Sequence, residues 1–424
     1  MRGLYTLLVY LLLPLVVLRL FWRSLRAPAY RQRWLERFGS LPLALQQDSI
    51  WLHAVSVGEV QAAQPLIREL LLRYPQMPLV VTTTTPTGAR RVDELFGGEV
   101  HHLYAPLDVP LVVRRFFRAL RPRILILMET EIWPNLLHEC QRRGVPSLLA
   151  NARLSARSAR RYQRLAGLTR QTLQRIDLIA AQGERDAERF IGLGAISERL
   201  LVSGSVKFDL RLPASLREQV DVLRREWGQE RPVWIAASTH EGEEGPILEA
   251  HAQVRERLPN ALLVLVPRHP ERFERVAELV SVSRMAMVRR SQQRPCSGST
   301  AVFLGDSMGE LPLFLGAADL AFIGGSLVPV GGHNILEAAA QGVPVVFGPH
   351  VFNFAEISEL FLVQGAARQV QDVAGLVALL LSWLGDASQR SVVGERGREL
   401  VEANRGALQR LLQQVDQLLA GGRR

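Results

Sequence analysis

Ile50-Trp51-Leu52-His53-Ala54-Val55, followed at once by Ser56-Val57-Gly58-Glu59, is the stretch whose reading decides the fold. The first six residues are a short, nearly continuous apolar run, the pattern of a strand buried on both faces. The next four lead into a segment containing Pro65 and Leu66 that reads as a helix, which puts Glu59 near a helix start. A carboxylate there is either a partner for the helix dipole or a general base.

Outward from this unit the pattern repeats. Apolar runs at 79–83, 124–128, 147–150 and 178–181 alternate with amphipathic stretches, and a second series runs through 233–237, 262–266, 301–304, 320–323 and 343–347. Strands alternating with helices predict parallel sheets covered on both faces, so the expected fold class is α/β with two Rossmann-like domains, their sheets facing a central cleft. Ligands then collect in the loops at the carboxyl ends of the strands. The expected division is an anchor over 1–25, a first domain over 26–210, a polar linker over 211–232 and a second domain over 233–424 that includes a C-terminal helix.

The N-terminus carries an uncharged run from Gly3 to Leu18, close to the length needed to cross a bilayer, followed by Arg19, Arg23, Arg26, Arg31, Arg33 and Arg37. No small-x-small cleavage site follows it, so an uncleaved anchor is expected, its basic flank on the cytoplasmic side against an anionic inner-membrane surface.

With 48% hydrophobic and 22% charged residues, the 424-residue chain has the composition of a folded globular protein, and its net charge of +10 asks for an anionic partner. Nucleic acid is disfavoured by the lack of zinc-finger spacing, of an RNP-like aromatic run and of a basic helix on a heptad seam. Cys140 and Cys296 stand far apart, there is no HExxH pair and no Asp-x-Asp, so neither a disulfide framework nor a metal site is expected. Lys207 is the single lysine in a chain whose other basic residues are arginines. A retained ammonium suggests a role for its compact, flexible charge.

The strand ends hold the candidate chemistry. Thr82 to Thr85 with Thr87 form a hydroxyl-rich turn, where Thr87 is expected to cap the next helix and the others to meet a sugar or phosphate. Glu129-Thr130-Glu131 places two carboxylates at a strand end, on one face if the strand persists and apart if it turns. Asn151-Ala152-Arg153-Leu154-Ser155 offers an arginine to an anionic acceptor, with helix capping by Asn151 or Ser155 as the alternative. In the second half, Ser238 to Glu244 and Pro267-Arg268-His269 follow strands, Gly305 to Leu311 makes a polar turn, and Gly324-Gly325-Ser326 to Gly331-Gly332-His333-Asn334-Ile335-Leu336-Glu337 is glycine-rich. That last segment is expected to bring backbone amides to phosphate oxygens and Glu337 to a ribose. No P-loop occurs, which disfavours ATP hydrolysis.

Ser56-Val57-Gly58-Glu59, Met128-Glu129-Thr130-Glu131, Ser205-Val206-Lys207-Phe208-Asp209, Pro267-Arg268-His269-Pro270-Glu271-Arg272-Phe273 and Gly331-Gly332-His333-Asn334 together resemble the Kdo transferase family. The resemblance spans nearly the whole chain. It implies a GT-B fold and transfer of 3-deoxy-D-manno-octulosonic acid (Kdo) from CMP-Kdo, a co-substrate, to a lipid A precursor, with inversion and with neither cofactor nor metal. By motif, Glu59 is implied as the general base, and Glu129 and Lys207 as transition-state supports. CMP contacts are implied at Pro267 and Arg268, at Met308, Gly309 and Glu310, and at Asn334, Ile335, Leu336 and Glu337. Two rivals fit the same alternation: a nucleotide-sugar epimerase, which needs no lipid-seeking N-terminus, and a membrane-associated binding protein without chemistry.

Overall fold

The computed structural model describes residues 1–42, 44–210 and 212–421. It divides into two compact units, one of Met1–Asp209 with Arg405–Arg424 and one of Leu210–Asn404.

In the first unit β1 (Ser49–His53), β2 (Leu79–Thr83), β3 (His101–Tyr104), β4 (Pro122–Met128), β5 (Ser147–Ala152), β6 (Leu178–Ala181) and β7 (Leu200–Val202) form one sheet in the order β3-β2-β1-β4-β5-β6-β7. Every neighbouring pair is parallel. The second unit repeats the plan with β8 (Val233–Thr239), β9 (Leu262–Pro267), β10 (Met287–Arg289), β11 (Val302–Leu304), β12 (Leu320–Ile323), β13 (Val345–Phe347) and β14 (Ala367–Gln369), ordered β10-β11-β9-β8-β12-β13-β14. Its pairs are parallel too. The central strands β1, β8 and β9 are buried along their whole length, which is why their sequences show no alternation. Strand order reverses direction between β1 and β4 and again between β8 and β12, and at such switch points a crevice opens beyond the carboxyl ends.

The ten strands expected from apolar runs are present. The four that the runs do not reveal are β3, β7, β10 and β14, and these are the four sheet edges. An edge strand has a neighbour on one side only and tolerates polar residues, so His101, His102, Arg289 and Arg368 sit in strands without an apolar signature.

Two expected boundaries differ from the structure. Within the polar segment 211–232, Leu216–Trp227 is a helix of the second unit, with Leu216, Leu223 and Trp227 buried and Trp227 meeting Phe303 edge-on at 5.1 Å. Its exposed face supplies the polar composition that suggests a linker. The C-terminal helix Ala407–Gly421 belongs to the first unit, where Leu408, Leu411, Leu412 and Val415 join the core under β1 and β4. Asp209 fastens it by accepting from the amides of Gly406 and Leu408, both at 2.6 Å. Each such buried leucine contributes roughly 1.5–3 kcal/mol.

The N-terminal helix runs from Arg2 to Arg26, and Arg2–Leu25 is apolar enough to cross a membrane by length and composition. Leu4, Leu7, Leu11, Leu15, Leu18 and Phe21 are exposed along it. Its first turns nevertheless touch the first unit, where the Tyr5 hydroxyl donates to Asp108 at 3.0 Å and that of Thr6 to Asn135 at 2.9 Å.

Candidate active site

In the first unit the switch point gathers carboxylates. Ser56 caps the helix Val57–Arg73, its hydroxyl oxygen accepting from the Glu59 amide at 3.3 Å. The Glu59 carboxylate accepts in return from the Val55 amide at 2.9 Å and the Ser56 hydroxyl at 3.1 Å. The arrangement resembles a capping box, with the carboxylate reaching the amide one residue before the cap, so Glu59 does serve the helix start where a partner for the dipole was expected. Capping does not exhaust the residue. Glu59 is only 8% exposed, and burial first, then the nearby Glu131 charge, pushes its carboxyl up to about 8, with a smaller push from Glu129.

Glu129 and Glu131 reach this place by separate routes, because β4 ends at Met128 and Glu129 adopts a left-handed φ of 55°. The turn sends the Glu129 carboxylate to Arg153, whose Nε donates to it at 2.9 Å. Arg153 is therefore engaged by Glu129 rather than standing open for an acceptor's anion. Glu131 accepts from the Trp133 indole at 2.6 Å, and its Oε2 lies 3.9 Å from Nε2 of His53 at the end of β1. His53 is fully buried, burial drives its imidazole down to about 3, and its Nε2 makes no hydrogen bond. Its other nitrogen, Nδ1, bonds Thr82 at 2.8 Å. An unshared buried ring nitrogen beside a carboxyl is a polar feature that sequence reading missed, since a histidine inside an apolar run looks like core.

Lys207 lies in the short turn Val206–Phe208, which packs against the helix of Glu59. Buried Asn151, itself at a left-handed φ of 51°, holds that turn by accepting from the Val206 amide at 3.2 Å. Asn151 thus anchors the lysine's turn and caps no helix, while Ser155 caps the one that follows. Left-handed residues at two adjacent strand ends mark backbone bent to aim side chains. The threonine turn is used internally. Thr85, and not Thr87, caps the helix Pro86–Phe96, while the hydroxyls of Thr83 and Thr84 engage His102 and the Val55 carbonyl.

The second unit's switch point is built from other residue types. Glu243 is fully buried, and its carboxylate accepts from the amides of His240 at 2.9 Å, Gly325 at 2.7 Å, Ser326 at 3.0 Å and Leu327 at 2.9 Å. The amides of Gly331 and Gly332 donate to the Gly325 carbonyl. The glycine-rich loop therefore spends these donors on the protein itself, with Glu243 as the internal anion, and not on a phosphate. Glycine is needed here for close approach, since a Cβ at Gly324 would stand 2.7 Å from the Ser238 carbonyl. The helix expected from Asn334 is a single turn, Leu336–Ala339, whose Leu336 amide donates to the Asn334 side-chain oxygen at 3.1 Å.

Around this loop stand the other donor-site candidates. Pro267 ends β9, and the Arg268 amide donates to the Thr239 carbonyl at 3.0 Å, tying the ends of β9 and β8 together. Burial raises the Glu337 carboxyl, while an Asn334 hydrogen bond at 3.1 Å and the nearby Arg268 charge lower it. Ile335 and Leu336 are buried beneath. Met308, Gly309 and Glu310 follow β11, with Met308 exposed, Gly309 at a φ of 84° and the Glu310 carboxylate held by Arg290 at 2.6 Å. Arg268 and Glu337 are thus brought together electrostatically, whereas 308–310 stand on the far side of β9 from β8. Two histidines that the sequence places in these loops without a role of their own, His240 and His333, meet at 2.7 Å between their Nε2 atoms.

Comparison with known proteins agrees with this architecture. Residues 32–210 match the family model described as 3-deoxy-D-manno-octulosonic-acid transferase. A 3-deoxy-D-manno-octulosonic acid transferase of Haemophilus influenzae is 44% identical over 414 residues, 97% of each chain. One from Bordetella pertussis is 37% identical over 437 residues, 99% of each chain. A crystal structure of a putative UDP-N-acetylglucosamine 2-epimerase from Listeria monocytogenes covers 86% of this chain and 94% of its own with a TM-score of 0.54, at 14% identity, a likeness of fold alone. Two parallel-sheet units of GT-B type, joined to near full-length identity at this level, establish that the chain belongs to the Kdo transferase family of glycosyltransferases.

Proposed function

We propose that this chain transfers Kdo from CMP-Kdo to a lipid A precursor with inversion at the anomeric carbon, Glu59 being the general base. The observation that carries this reading is a buried carboxyl at a switch point whose proton affinity is raised to about 8, in the range suited to taking a proton near neutral pH. In the transfer the acceptor hydroxyl loses its proton to Glu59 and forms the new C–O bond, while the bond from the anomeric carbon to the phosphate oxygen breaks and CMP departs with the electron pair. Lys207 and Arg268 offset the negative charge that grows on the phosphate, and Glu129, fixed by Arg153, supports the positive charge developing at the sugar. This reading invokes no metal. Pro267 and Arg268, Met308 to Glu310 and Asn334 to Glu337 form the CMP site.

The apolar helix Arg2–Leu25 and the arginines that follow it fit attachment to the anionic cytoplasmic face of a bacterial inner membrane, where a lipid acceptor resides. Incubating the full chain with CMP-Kdo and tetraacylated lipid A precursor, then analysing products by mass spectrometry and anomeric NMR, tests the assignment. Sugar on the lipid with inverted configuration is the expected result. Isomerised donor would instead identify an epimerase, and unchanged reactants a binding protein.

A further inference from the structure

We propose that His240 and His333 form a shared-proton grip in the second unit that takes up one further proton when the donor's phosphate binds. The inference rests on the CMP-Kdo reading above and adds to it two residues that no part of that reading uses.

The pair spans the switch point, His240 following β8 and His333 lying in the loop after β12. Their rings are nearly parallel, at 6°, with centroids 4.9 Å apart, yet the Nε2 atoms approach to 2.7 Å. That distance is shorter than a van der Waals contact between stacked rings and belongs to a hydrogen bond between ring edges. One Nε2 carries the proton and the other accepts it, so in the neutral pair one ring has its remaining proton on Nδ1 and the other has a bare Nδ1. A second proton enters at that bare Nδ1 without breaking the shared bond, and the resulting cation is spread over two rings. Gly325 makes room for the contact, because a Cβ there would stand 3.0 Å from His333 and 3.4 Å from His240.

The surroundings hold the pair neutral until an anion arrives. Burial first lowers the proton affinity of both rings, and Arg268 and His269 lower it further for both, with Arg272 adding to the effect at His240. His269 stands edge-on to His240 at 5.4 Å. Of the carboxylates nearby, Glu243 raises His240's affinity but has its oxygens committed to four backbone amides, and Glu337 faces Arg268. A cationic crevice with neutral histidines therefore lacks one thing, a mobile anion. A phosphate entering beside Arg268 reverses the field, and protonation of the pair then adds a charge-assisted contact.

Calorimetric titration of the full chain with CMP at pH 7.5, in buffers of different ionisation enthalpy, reads the net proton change. At that pH the CMP phosphate is already ionised, its second pKa being about 6. Wild type is expected to take up roughly half a proton per CMP bound. His240→Gln and His333→Gln, which keep a hydrogen-bonding partner but break the shared-proton pair, are expected to take up none and to bind CMP about twofold more weakly at that pH, the factor that a half-filled proton site contributes. Circular dichroism of both variants confirms that they fold. CMP binding to wild type without proton uptake, or uptake unchanged in both variants, overturns the grip alone. Failure of wild type to bind CMP at all overturns the donor reading and the grip with it.

Discussion

The two switch points share one topology and carry opposite chemistry. Beyond β1 and β4 of the first unit stand Glu59, Glu129 and Glu131, while beyond β8, β9 and β12 of the second stand His240, then Arg268 and His269, then His333. Burial is the larger cause of the shift in both places, and like charges push further the same way, the neighbouring acids raising a proton affinity in the first and the neighbouring bases lowering one in the second. Both sites also use a carboxylate to hold backbone amides, but to different ends. Glu59 caps a helix start and remains near its neighbours' charges, whereas Glu243 is consumed entirely in shaping a loop. A Rossmann-like scaffold thus fixes where a ligand goes, and the residues at the strand ends decide whether the place removes a proton or receives an anion.

The contrast is broken most severely at Glu59. Glu59→Gln retains an oxygen to accept from Val55 but cannot take a proton, and turnover is expected to fall about 1,000-fold with CMP affinity unchanged. Steady-state kinetics beside CMP titration measures both, and near-normal kcat would refute the base assignment. The same variant bears on stability. A carboxyl whose folded affinity exceeds its unfolded one binds its proton more tightly when folded, so it costs stability as pH rises from about 4.5 through about 8. Glu59→Gln is accordingly expected to unfold at a higher temperature than wild type at pH 8.5, and a lower one would mean that the cap dominates.

The reciprocal change is Arg268→Ala. It is expected to weaken CMP binding by about 10- to 100-fold, the loss of a charged contact to phosphate, and to leave the pH profile of the remaining turnover where it was. A shift of that profile with unchanged CMP affinity would reverse the roles given to the two units.

The smallest expected effect sharpens the comparison. Wild-type turnover should climb with pH along a limb near 8 as Glu59 ionises, and Glu131→Gln removes the largest neighbouring charge that holds that limb up. The limb should then move toward lower pH by about half a unit, raising the relative rate at pH 6.5 a few-fold. The glutamine oxygen still accepts from Trp133, so the local structure persists. An unmoved limb would show that burial alone sets the affinity of Glu59.

Much of this was legible in residue order, and what was hidden has a common cause. Runs such as 124–128 announce strands because a parallel strand with neighbours on both sides must be apolar throughout. Edge strands such as His101–Tyr104 escape that demand and so leave no mark. Positions of Glu59, Glu129 and Arg268 at strand ends followed from the alternation and the motifs, whereas β7, after which Lys207 lies, is a strand that the apolar runs do not reveal. Their partners did not, since the bonds of Arg153 to Glu129 and of Asn151 to the Val206 amide join residues 24 and 55 positions apart.

By itself the order of residues determined two series of alternating strands and helices, a long apolar N-terminal segment and the carboxyl-end placement of the candidate chemistry, because periodicity and burial are local demands on each segment. Only the tertiary structure decided that the last helix closes the first unit's core, that the glycine loop's amides go to Glu243, and that His240 meets His333 across 93 positions of chain. An amphipathic helix or an unsatisfied amide states what it needs but not which partner supplies it, and that choice is made by packing between segments distant in sequence.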